Sequence, residues 1–418
     1  MITGHGLERS GLDVGPGGVD EVLHDLCDVL LASLPRSDQR GRGLDYVHGL
    51  IHARGRKSIR NIASLRGGRA AEQRLHHFVC GSTWRWDPPR VALARYVAAV
   101  EPPQAWVVRP LVITKTGENS VGVERCASPA FYTQRAVGVW LASERLACPV
   151  NWRLLLSGAW LGDPVRRAQA GIPAGACPET MGMCAVRASA QVAGGGWGLP
   201  ARPVVVDVPE VDALAVLGRL RAAGLRQQLV RVDGRLRLAV ADPALPGRGD
   251  GHWSAAEIMR AAAPLRRPVP WREPGGTPGG RGGLMAAVRV RVPLIGAGAG
   301  ADRQGDLLLL GLAGPGRQWP GELWLTDSVS SSPAGLARLT RLVRRVGRDA
   351  AEISEQVGMR DFVGRSFTGW HRHMTLVSAA HAVQALSLAR ARQSGAGRET
   401  GERKALGGGR DTASVSRP

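Results

Sequence analysis

Pro203-Val204-Val205-Val206-Asp207 is an apolar run that ends on an acid. Three consecutive valines bounded by a proline predict a short buried strand, with Asp207 at its end. The flanks support this. Residues 178 to 193 have helical spacing and stop at Gly194-Gly195-Gly196. Residues 209 to 223 predict a second helix, and Gln228 to Val232 another strand. Upstream, Trp106 to Thr114, Ser120 to Arg125, Ala136 to Ala142 and Val150 to Leu156 are short apolar or alternating runs that predict strands.

Strands, a helix, a strand, a helix and a strand is the order of an RNase H-like α/β fold, a mixed sheet flanked by helices. An all-helical region precedes it. Val19, Val22, Leu23, Leu26 and Leu30 form one helical stripe, and Leu44, Val47, Leu50 and Ile51 a second. Ser58 is placed to cap a third helix. Gly67-Gly68 then breaks the chain before a fourth, with Ala71, Leu75 and Phe78 inward. This pair reads either as a helix-turn-helix or as an ordinary helical hairpin. In the first case Arg69, Gln73 and Arg74 would face DNA, with His77 beside them.

After the core, residues 233 to 320 are rich in Pro, Gly and Arg and predict a β-rich insertion, loosest at Pro274 to Gly283. Glu322 to Thr326 predicts a strand and 334 to 357 a long helix. A last helix is predicted over 368 to 393. The expected division is a flexible 1–18, a helical DNA-binding 19–103, core halves at 104–232 and 321–394 around the insertion 233–320, and a disordered basic tail at 395–418.

The formal net charge is +20 and the pI about 11.2, which points to a polyanionic partner. All basic residues except Lys57, Lys115 and Lys404 are arginine, a bias that does not account for the excess of base over acid. The six cysteines are scattered, the closest pair being C-x6-C, so they predict reduced thiols in the cytoplasm rather than a zinc or disulfide framework. MITGHGLERS has no apolar signal core, and no apolar run reaches the roughly 18 residues that span a bilayer. GAGAGADRQGD lacks the strand-to-helix context and the Lys-Ser/Thr of a phosphate loop. His371 and His373 are two apart on a predicted helix and diverge, and Trp370 between core positions predicts a buried ring.

Five stretches, ASLPRSDQRGRGLDYVHGLI, GRKSIRNIASLRGGRAAEQRLHHFVCGSTW, TGENSVGVER, CPVNWRLLLSGAWLGDPVRRAQAGIP and GMRDFVGRSFTGWHRHMTLVSAAHA, resemble bacterial insertion-sequence transposases with a DDE endonuclease domain. The resemblance implies an RNase H-like nuclease that cuts double-stranded DNA at transposon ends and joins it to a target. Three acids would hold two Mg2+ or Mn2+ ions about 3.5–4 Å apart. It implies a cytoplasmic protein, nucleoid-associated when DNA-bound, and leaves a homodimer open. Carried over, the second acid matches Asp207. The first falls at Thr114 or Lys115 and the third at Gly347, none of which is a carboxylate. The stretch between Arg125 and Val137 looks shortened beside the first position.

Four nearby acids, Glu118, Asp349, Glu352 and Glu355, are candidates to substitute. Asp349 and Glu352 lie about 200° and 140° around the helix from residue 347. Arg365 and Arg372 are expected phosphate contacts. Three readings follow: a working transposase with a rewired site, a transposase-derived binding or regulatory protein that no longer cuts, and a decaying reading frame.

Overall fold

The computed structural model describes residues 16–126, 131–209, 211–245, 251–269, 282–292 and 306–407, the last thirteen as backbone only. The glycine-rich start, most of the loop at 274 to 283, GAGAGADRQ and the end of the tail lie outside the described residues.

The first helices are α1 (Pro16–Leu31), α2 (Ser37–His52), α3 (Ile59–Ser64), α4 (Arg69–His76) and α5 (Asp87–Val100). The predicted inward residues of α1 are all buried, as are Val47 and Leu50 of α2 and Ala71, Leu75 and Phe78 beyond it. Ser58 caps α3 by accepting from the Asn61 amide. Gly67 and Gly68 stand at φ 109° and 67°, backbone that a side chain would strain, which is why the break between α3 and α4 falls there.

Strands β1 (Ala105–Lys115), β2 (Val123–Cys126), β3 (Phe131–Ala142) and β4 (Ala147–Leu154) follow. Three helices come next, α6 (Gly158–Gly162), α7 (Pro164–Ala170) and α8 (Met181–Ala193), then β5 (Val204–Val206), α9 (Ala213–Ala222) and β6 (Gln228–Arg231). β1 runs antiparallel to β3 and parallel to β5, β3 antiparallel to β4, and β5 parallel to β6. The resulting order β4-β3-β1-β5-β6 is the RNase H-like arrangement. β2 is shorter than predicted, with Ser120 to Gly122 forming a turn ahead of it.

The expected insertion supplies β7 (Arg237–Val240), β8 (His252–Ser254), α10 (Ala255–Ala261), β9 (Arg267–Val269), β10 (Gly283–Arg291) and β11 (Leu307–Ala313). β12 (Glu322–Thr326) comes next. These strands do not build a second layer. β12 pairs with β6, β11 with β12 and β10 with β11, so the same sheet continues past the core to twelve strands among the described residues. The element order could not show this, because β12 is added 91 positions after β6 ends.

Two helices close the molecule. α11 (Pro333–Asp349) ends in a π-helical turn, Ala350–Ser354, and α12 spans Phe367–Gly407, beyond the predicted end and into the stretch assigned to a tail. Residues 369 to 383 of α12 are buried on every side. This helix lies between β4 and the α1–α2–α5 layer, so the helical region and the sheet share one hydrophobic core. Trp370 is buried, as expected.

A helix buried all round must satisfy its polar groups internally. Arg90 donates to Thr375 Oγ1, Asn151 Oδ1, Trp152 O and His371 O at 2.8–3.1 Å. His373 Nε2 donates to Gly358 O, which leaves Nδ1 to accept from Tyr46. His381 Nε2 donates to Ala147 O, and its Nδ1 accepts from Ser354. Burial holds His373 down to about 3 and His381 to about 4. Burial, then the Arg90 charge, keeps His371 well below its ordinary value.

The native state therefore keeps three neutral imidazoles. The unfolded chain takes up their protons first as the pH drops below about 6.5. Stability should be full above that pH and fall steadily towards pH 4, by up to about 1.4 kcal/mol per pH unit for each histidine. Urea unfolding at pH 7.5, 6 and 5 checks this. A midpoint that does not move over that range would contradict it.

Candidate functional site

The parallel pairing of β1 and β5 sets the geometry. Val108 lies level with Val206, and the Asp207 amide donates to Val108 O at 2.9 Å. The next residue on β1, Arg109, is therefore the lateral neighbour of Asp207 on the same face. Arg109 Nε lies 3.2 Å from Asp207 Oδ2, an ion pair not aligned as a hydrogen bond. From β6, Arg231 donates to Asp207 Oδ1 at 2.8 Å. Both oxygens of a nearly buried carboxylate are thus engaged by guanidinium groups. Burial opposes the Arg231 charge, but the hydrogen bond and charge of Asp207 outweigh it and hold Arg231 above its ordinary value.

The third corner is Gly347 on α11. A Cβ built there would stand 2.8 Å from Arg109 Nη1. The absent side chain is the space that Arg109 fills. A cavity of about 200 Å3 continues from this point, lined in part by Arg109, Trp140, Trp152, Gly347 and Glu355.

Thr114 and Lys115 are not brought to Asp207. They lie five and six residues beyond Arg109 on β1, about 16–20 Å away at the rise of a strand. Thr114 is exposed. Lys115 donates to Phe362 O at 2.6 Å and Arg360 O at 3.3 Å, tying β1 to the segment before α12. Burial, then Arg56, draws its ammonium down to about 8. The position level with the second acid is Arg109. The only sequence signal for it was a single charge inside the apolar run Trp106 to Thr114.

The candidate substitute acids do not complete the site. Asp349 is buried, accepting from the Ala147 amide and Arg345 Nε, both at 2.8 Å, and so pins α11 to the start of β4. Glu355 accepts from Arg360 at 2.5 Å. Glu118 and Glu352 are exposed. The DDE endonuclease superfamily generally uses divalent metal ions. These residues do not fit a metal pair. One carboxylate has both oxygens on arginine, and a cation already fills the third corner.

Among the residues expected to meet DNA, Arg69, Gln73 and Arg74 are exposed on α4. Arg69 and Gln73 line a groove of about 890 Å3 with Arg60, Glu72 and His76. Arg365 is exposed. Arg372 corrects the expectation. It is buried and donates to Val79 O and Trp84 O at 3.0–3.1 Å, and also to Ser82 O, so it is held by the turn after α4 instead of facing phosphate. His371 and His373 have separate partners, Arg90 and Tyr46. Among the described residues the six cysteines are free, and no helix is long and apolar enough to cross a membrane.

No curated protein matches the chain. It is similar to a cryo-EM structure of a piggyBac transposase synaptic complex with hairpin DNA, at 11% identity and a TM-score of 0.36, covering 93% of this chain and 77% of that one. A family profile described as DDE superfamily endonuclease matches residues 29–277, more than half of the chain. The chain belongs to the DDE superfamily endonuclease family.

Proposed function

We propose that this transposase-like protein binds double-stranded DNA at transposon ends and no longer cuts it. One observation carries the reading: the Arg109 guanidinium stands between Asp207 and Gly347, where the resemblance calls for carboxylates around metal. A fixed cation there removes the need for Mg2+ or Mn2+ to neutralise Asp207. It supplies neither a metal-bound water nor a ligand set for one.

The DNA partner is supported by the net charge of +20 and by the groove along α3 and α4. Arg69, Gln73 and Arg74 on α4, with Arg365 near α12, are the residues assigned to contact DNA. Phosphate contacts of this kind position a protein without reading bases. The division into a DNA-binding helical region and a nuclease-like core stays part of this proposal. A homodimer would present two such grooves.

The test is incubation of purified protein with labelled duplex carrying the gene's flanking ends, with Mg2+ or Mn2+, beside Asp207→Ala. The expected result is a shifted band without nicking. Affinity should fall steeply with salt. Arg69→Ala with Arg74→Ala should weaken binding and lower the salt slope by roughly 2, about one for each phosphate no longer neutralised. Metal-dependent nicking that disappears in Asp207→Ala would overturn the reading, and so would salt-insensitive binding.

A further inference from the structure

We infer that the helical region carries a binding site for one divalent metal of the zinc class, built from Asp20 of α1 and His48 and His52 of α2. This site is separate from the Asp207 cluster and independent of the DNA-binding proposal. His48 and His52 are four residues apart on one helix, so both imidazoles project from the same face. Asp20 approaches from the neighbouring helix. One ligand atom from each of the three lies within 4.8 Å of the others.

Two details distinguish this from a casual surface cluster. Asp20 Oδ1 and His48 Nδ1 are buried atoms with no aligned hydrogen bond, although Asp20 Oδ1 is ion-paired with the His52 ring and the Asp20 side chain as a whole is 46% exposed. A buried polar atom without a hydrogen bond is costly, so the His48 nitrogen calls for a partner. The second detail is spacing. Asp20 Oδ1 and His52 Nε2 are 3.4 Å apart. Ligands at about 2.0–2.1 Å in a tetrahedron are separated by about 3.3 Å, so this edge is already formed.

The chemistry selects the ion. Two imidazoles and a carboxylate suit zinc or a neighbouring divalent metal, while Mg2+ prefers oxygen alone. Three ligands leave a fourth position for water. Arg66 is paired with Asp45 at 3.2 Å, which offsets its repulsion of an incoming cation. Occupancy would fasten α1 to α2, the helix that packs on α3 and α4.

The experiment uses the full chain, stripped with EDTA and dialysed. Zn2+ is measured by equilibrium dialysis and by its effect on the unfolding midpoint, and Co2+ serves as a spectroscopic probe. The expected result is one Zn2+ per chain and a raised midpoint. The Co2+ spectrum should show visible d–d bands without thiolate charge transfer. His52→Ala and Asp20→Asn should each weaken Zn2+ binding at least about tenfold. Both side chains are partly exposed, so these variants should remain folded in circular dichroism. No Zn2+ uptake, uptake undiminished in both variants, or a thiolate–cobalt band from the six cysteines would each overturn the inference.

Discussion

Arg109→Asp combined with Gly347→Glu should give the protein a Mn2+ site that the native chain lacks. The double variant places carboxylates on β1 and α11 on either side of Asp207, which is freed from one of its two guanidinium partners. Room exists, because the residue 347 side chain would enter the volume that Arg109 now occupies. Added Mn2+ at about a hundred times its dissociation constant would stabilise the folded variant by about 2.7 kcal/mol, readable as a shift in the unfolding midpoint.

The single variants separate the causes. Gly347→Glu alone should pair with Arg109 and gain no Mn2+ response. Asp207→Asn should leave Arg109 and Arg231 without their counter-charge and, since both arginines are partly exposed, destabilise the native chain by roughly 1–3 kcal/mol, with DNA affinity unchanged. A native chain that Mn2+ already stabilises, through a response lost in Asp207→Asn, would show that the arginines yield to metal and that the site is a working one.

Arg90→Met should be the most damaging single substitution in the core, costing roughly 3–5 kcal/mol. Arg90 is 2% exposed, and burial lowers its guanidinium to about 9. Its value to the fold lies in the carbonyl, amide and hydroxyl acceptors it satisfies on β4 and α12. Methionine fills most of the volume and meets none of them. Arg90→Lys should recover little, since one ammonium cannot reproduce a planar fork that reaches two elements. Denaturant unfolding of the three proteins measures the effect. A loss below about 1 kcal/mol for Arg90→Met would mean that the acceptors find other donors.

Much of the fold was legible because its elements are local. The stripes of α1 and α2, the Ser58 cap, the Gly67-Gly68 break and the valine run of β5 depend on spacings of a few residues, and each forms as read. Helix α5 was not singled out within the helical region, although Pro88 and Pro89 in its first turn are a helix-start signal; a charge, Arg90, sits on the face it buries. Arg372 was misassigned because a charge on a helix looks solvent-facing when the turn that buries it is some 290 positions away.

The candidate site divides along the same line. Local spacing and residue identity were enough to place a strand just ahead of Asp207, to leave residue 347 without a carboxylate and to show an excess of positive charge. Which β1 residue stands beside Asp207 followed from strand pairing in the folded chain. That depends on the parallel register of two strands nearly a hundred positions apart, and a register is set by pairing, not by composition. It put Arg109 there and left Thr114 and Lys115 further along the strand. Packing of α11 over the same point then turned a missing side chain at 347 into the space an arginine fills.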